Sequence, residues 1–241
     1  MISRATPVAP LSKAQIAAVV ATAVAELLDL RRRGVPEARA VRKRLSSRLK
    51  TARGEDVVAI GAAIAAAPPL KLARARWVGW ELINQHQAAL ASLDRATVEA
   101  LGVGNSSWDE VDGYGIYIAG PAWLRGQLSD ADMRRWARSK DLWRRRATLV
   151  ATVVLNSKSH GGHGDVRRTL AIATLLIDDR EDMVVKAMSW ALRCLVPWDR
   201  GAVEDFLARH EGRLAARIKR ETRTKLRTGK KNAKAADACN G

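Results

Sequence analysis

Phenylalanine occurs once in this chain, tyrosine twice, and cysteine only at Cys194 and Cys239. Cys194 falls in an apolar stretch and Cys239 in a polar tail, so no structural disulfide is expected and a reducing cytosol is. No apolar run reaches the ~20 residues that cross a bilayer. The two most apolar, "IAAVVATAVAELL" (16–28) and "VVAIGAAIAAA" (57–67), read as buried helices, and "MISRATPVAP" lacks the core of a signal peptide. Neither CxxC nor HExxH occurs, so no metal or other cofactor is expected; His160, His163 and Asp165 in "SHGGHGD" read as a glycine-rich surface turn. Acidic residues are also scarce, 25 against 42 Lys and Arg, for a formal net charge of +17. That excess points to a polyanionic partner, nucleic acid first and an anionic membrane surface second.

What the chain does have is apolar residues at helical spacing almost throughout. Ser12 and Gln15 make a capping box before a first helix; Gly34 suits a left-handed cap and Pro36 a first helical position. Further helices are expected over 37–52, 54–67, 70–90, 94–101, 107–124, 130–139, 141–156, 164–178, 181–196 and 200–228, with no strand. Domain bounds follow: a disordered start (1–10), a helical domain (11–212), and a basic helix with a disordered tail (213–241).

Three segments share cations followed by an apolar run: "LARARWVGWELI" (72–83), "LWRRRATLVATVVL" (142–155) and "VVKAMSWALRCLV" (184–196). Aligned on Arg76, Arg146 and Lys186, with Asp112 between, they step by roughly 35–40 residues, as HEAT and armadillo repeats do. The fold class expected is all-α, a right-handed α-solenoid of HEAT-like antiparallel helix pairs, C-shaped with a basic concave face. Arg76, Asp112, Arg146 and Lys186 would then form one row, with Trp108 and Trp190 beside it. Ser107 and Glu110 suggest another capping box, and four-residue spacing puts Trp108 and Asp112 on one helix face.

"WDEVD" (108–112), "LWRRRATLVATV" (142–153) and "VKAMSWALR" (185–193) together resemble the signature segments of the AlkD-like DNA alkylation-repair glycosylases, which are built from HEAT-like repeats. The resemblance spans about residues 10–210 and is strongest over 105–195. It implies excision of cationic N3- and N7-alkylated purines from double-stranded DNA, with Asp112 as the catalytic carboxylate and Trp108 as the adjacent active-site indole. It also places the active-site arginine at Arg146 and a second cleft indole at Trp190. The chain departs from the family in its long loop "NSKSHGGHGD" (156–165), and only Trp77 and Trp80 are available to replace the family's N-terminal aromatics.

The residue types suit that chemistry. A cationic purine leaves without being protonated, so the protein must stabilise positive charge on the base and on the sugar. Indole faces contribute about 2 kcal/mol to a desolvated cation, and a carboxylate beside the sugar acts where charge develops in the transition state. Arg146 and the substrate are expected to hold the Asp112 pKa down against desolvation. Arg144, Arg145, Arg146, Lys186 and Arg193 are candidates for phosphate contacts, with Arg76 in the same row. The expected protein is a monomeric monofunctional glycosylase, cytoplasmic and nucleoid-associated, with no membrane partner. The alternative is a noncatalytic HEAT-repeat module that binds DNA or protein.

Overall fold

A computed structural model describes residues 8–30 and 34–230. These fall into two compact units, one ending at Asn105 and the other starting at Ser106. The segments 1–7, 31–33 and 231–241 lie outside the described residues, and with them the expected disordered ends. Every regular element described is helical, as the apolar spacing requires. No described helix is long and apolar enough to cross a membrane.

The first unit runs α1 (Lys13–Leu28), α2 (Val35–Arg48), α3 (Gly54–Ala66), α4 (Pro68–Leu72), α5 (Trp77–Gln85), α6 (Gln87–Ser92) and α7 (Arg95–Leu101). The Ser12 hydroxyl accepts from the Gln15 amide at 3.2 Å and the Gln15 side chain accepts from the Ser12 amide at 2.8 Å, so the expected capping box forms. Gly34 is not a left-handed cap: it precedes α2 in an extended conformation (φ −105°), with Pro36 in the first turn. The expected single helix over 70–90 is three. Arg74 takes a left-handed φ of 54°, which closes α4, and the His86 Nδ1 caps α6 by accepting from the Ala89 amide at 3.1 Å. Val57, Ile60 and Ile64 of α3 and Val78, Trp80 and Ile83 of α5 are buried, and the two helices pack on each other.

The second unit begins with α8 (Trp108–Tyr114), a π-helical turn (Gly115–Ala119) and α9 (Gly120–Leu124). It continues with α10 (Asp130–Ala137), α11 (Leu142–Leu155), α12 (Val166–Leu175), α13 (Asp182–Leu195), α14 (Arg200–Arg209) and α15 (Ala216–Thr228). The span 200–228, read as one helix, breaks in the turns around Gly212. Two layers result: α8, α11, α13 and α15 touch in succession, while α10, α12 and α14 pack against that row. α15, which the sequence assigned to the tail, buries Ile218, Thr222 and Leu226 and packs on α13.

The π turn explains how α8 and α9 both seat on α11. Its five-residue step brings Gly115 and Gly120 to one side, and the Gly120 amide bonds back to the Gly115 carbonyl. They meet Val150 and Val154, which stand four apart on α11. A Cβ on Gly115 would fall 2.7 Å from Val150, and one on Gly120 would fall 2.5 Å from Val154. Only glycine allows this approach.

The long loop after α11 is anchored by buried Asn156. Its amide nitrogen donates to the Thr169 hydroxyl at 2.8 Å, its amide oxygen accepts from the Asp165 amide at 2.9 Å, and its carbonyl accepts from the Trp198 indole at 2.8 Å. His160 Nδ1 lies 3.0 Å from the Ser157 and Ser159 hydroxyls.

Candidate functional site

In the second unit a cleft of about 490 Å³ opens between the exposed parts of α8, α11, α13 and α15. α8 supplies Trp108 and Asp112, one turn apart, and α11 supplies Arg146; α13 supplies Met183, Lys186, Trp190 and Arg193, and α15 supplies Arg217 and Glu221. Asp112 thus faces the cleft that Arg146 also lines. Trp108 is 48% exposed, a large apolar surface left open to water at the rim.

The start of α8 differs from the expected capping box. The Ser107 side chain makes no capping bond; Glu110 reaches instead to the Ser106 amide at 2.7 Å. Asp109 and Glu110 still place negative charge in the first turn, where the helix dipole favours it.

Arg146 is almost fully buried and grips Asp112 with both sides of its fork. Nε donates to Oδ1 at 3.0 Å and Nη2 to Oδ2 at 2.9 Å, while Nη1 donates to the Met183 carbonyl at the start of α13. One guanidinium therefore ties three helices around the carboxylate, a geometry lysine cannot reproduce. The expected lowering of the Asp112 pKa is not what this arrangement gives. Burial pushes its carboxyl above the usual carboxylate range; the Arg146 hydrogen bonds and charge oppose that only in part, and Asp109 adds to the rise.

The other cleft cations are also paired. Lys186 Nζ lies 2.6 Å from Asp182, and Arg193 donates to Glu221 at 3.0 Å. Arg217 bridges Asp182 at 2.9 Å and Glu221 at 3.0 Å. Of the row expected from Arg76, Asp112, Arg146 and Lys186, the last three members share this cleft of the second unit. Arg76 is a buried residue of the first unit: it donates to the Ala65 and Val103 carbonyls and stacks 5.2 Å from the Trp80 ring.

Arg144 and Arg145 do not line the cleft. Arg144 lies over Trp136, 5.0 Å from the ring centre. Arg145 bonds Asp179 at 2.7 Å and the Ser139 and Lys140 carbonyls at 2.9 Å, fastening the loop ahead of α11. Trp80 is wholly buried in the first unit, its indole donating to the Leu101 carbonyl at 3.2 Å, so it is a core residue rather than a substitute cleft aromatic. Trp123 and Trp136 are buried as well.

Sequence reasoning missed Arg217 and Glu221. Their signal was present as a charged i,i+4 pair in "RIKRETRTK", on a helix whose other side carries Ile218 and Leu226.

The family model described as DNA alkylation repair enzyme matches residues 34–226, which takes in every residue of this cleft. No curated protein and no solved structure matches the chain.

Proposed function

The chain belongs to the DNA alkylation repair enzyme family, and from that premise we propose that it is a monofunctional DNA glycosylase. Its reaction is hydrolysis of the N-glycosidic bond of cationic N3- or N7-alkylated purines in double-stranded DNA, leaving an abasic site. The proposed architecture is a right-handed α-solenoid of HEAT-like helix pairs, in keeping with the two layers of the second unit. The observation that carries the reading is Asp112, fixed on both oxygens by Arg146, in one cleft with the exposed ring of Trp108.

In this mechanism the alkylated base already carries the charge that makes it a leaving group, so the C–N bond breaks without a proton donor. The sugar becomes oxocarbenium-like as the bond breaks, and Asp112, ionised, stabilises it in the transition state. Arg146 engages one position on each carboxylate oxygen and leaves the remaining lone pairs for the sugar or for the attacking water. That water adds to the anomeric carbon, and its proton passes to the carboxylate or to solvent. Trp108 and Trp190 offer their rings to the cationic base or sugar. Lys186, paired with Asp182, is a phosphate contact here, so a Schiff-base step is not part of the proposal.

The test is to incubate the protein with methylated duplex DNA and separate released bases by chromatography. Release of 3-methyladenine or 7-methylguanine, lost in Asp112→Asn, supports the reading. Binding without release by the wild-type protein would favour a noncatalytic DNA-binding module.

A further inference from the structure

Helix α15 brings to the cleft two side chains that lie outside the three signature segments. Burial of Ile218, Thr222 and Leu226, on a helix packed on α13, fixes its rotation, and four-residue spacing turns Arg217 and Glu221 together toward the cleft. Glu221 is the junction of this wall. Its Oε2 accepts from the Ser189 hydroxyl at 2.7 Å and from Arg193 Nη1 at 3.0 Å, and its Oε1 accepts from Arg217 Nε at 3.0 Å. Burial raises the Glu221 pKa, but Ser189 and the two arginines outweigh it and hold the carboxyl below the usual range.

The charges on the wall do not balance. Among the described residues, Lys186, Arg193 and Arg217 pair with Asp182 and Glu221, an excess of one positive charge. Arg217 is also the cation best able to change partners. It is 36% exposed and shared by two carboxylates, so it can give one up to a phosphate without being left uncompensated. Arg193, 9% exposed, depends on Glu221 for its anion.

We propose that Arg217 is a further phosphate-contacting residue of the cleft and that Glu221 is a positioning residue, holding Arg193 and Arg217 in the places where the strand meets them. This rests on the DNA-binding part of the reading above and is independent of turnover. Removing one phosphate contact lowers the slope of log affinity against log salt by about 0.9. Arg217→Ala therefore binds undamaged duplex with a slope smaller by that amount, and Arg217→Lys restores it. Glu221→Gln keeps the side-chain shape and removes the anion. It binds undamaged duplex more tightly, and its preference for a duplex holding one 7-methylguanine over the same duplex unmodified falls severalfold, because the arginines lose their fixed position.

The experiment is a salt titration of duplex binding by the full-length protein and these three variants, with thermal midpoints measured in parallel. A slope for Arg217→Ala equal to that of the wild type overturns the phosphate contact. A Glu221→Gln variant with a lower thermal midpoint but unchanged affinity and unchanged lesion preference overturns the positioning role and leaves a structural one. Base release by the wild type is scored on the same preparations. A fall in slope without any release sustains this inference while the glycosylase reading fails; release with an unchanged slope does the reverse.

Discussion

Arg146 holds Asp112 through two parallel hydrogen bonds, at 3.0 and 2.9 Å, across 34 residues of sequence. The pair is buried on its arginine side and open on its carboxylate side, where Asp112 keeps about a fifth of its surface. A bidentate pair of this kind orients a carboxylate rather than merely neutralising it. Asp112→Asn keeps the shape and one acceptor oxygen but loses the charge. Single-turnover release of 7-methylguanine should fall by on the order of 10²–10³, as for removal of a preorganised electrostatic group. Affinity for undamaged duplex, measured in the same buffer, should barely change.

The pH dependence follows from the sign of the Asp112 shift. Burial raises its pKa, and Arg146 supplies the largest opposing effects. Release requires the ionised form, so activity is lost as pH falls through the raised pKa. The acid limb of the pH–rate profile should therefore lie above the range of an ordinary carboxylate. Arg146→Gln removes the opposing charge and should move that limb to still higher pH, besides lowering the plateau. A limb that stays in place in this variant would show that another group sets it.

Trp108 separates chemistry from packing because of its exposure. An indole that is 48% exposed still buries about half its surface, so Trp108→Ala should cost about 1–2 kcal/mol of stability, less than truncation of a core tryptophan. If the ring faces the cationic base or sugar at about 2 kcal/mol, the same substitution should slow release roughly thirty-fold. Urea unfolding and single-turnover kinetics on one preparation give both numbers. A large loss of stability with a small loss of rate would make Trp108 an anchor.

The cleft was legible where it depends on helix periodicity. Trp108 with Asp112, and Lys186 with Trp190 and Arg193, are spaced to share a face, and the cleft contains all five. Arg144, Arg145 and Arg146 are adjacent in sequence, so their side chains leave α11 in three directions, and sequence does not say which direction faces the cleft. Packing decides: Trp136 takes Arg144, Asp179 takes Arg145 and Asp112 takes Arg146. Arg76 matched the repeat pattern as well as Arg146 did, but its donors are used on main-chain carbonyls of its own unit. The helical class was plain from the sequence, whereas the breaks at Arg74 and His86 depend on a left-handed residue and a histidine cap, which apolar spacing does not encode.

The last prediction concerns how closely α8 is set against α11. Gly115 stands where a Cβ would fall 2.7 Å from Val150 Cγ1, inside a π-helical turn that starts three residues after Asp112. Gly115→Ala overpacks this contact, and about 1–3 kcal/mol of stability should be lost. The strain has two outlets: Val150 gives way, or α8 shifts and carries Asp112 away from Arg146. The second outlet lowers release beyond what the loss of folded protein accounts for, and π turns are frequent at functional sites. Val150→Gly removes both the methyl at 2.7 Å and the Cβ at 2.9 Å, so the double variant Gly115→Ala/Val150→Gly should recover more activity per folded molecule than Gly115→Ala alone. A double variant no more active per folded molecule than Gly115→Ala alone would show that the turn does not set the position of the carboxylate.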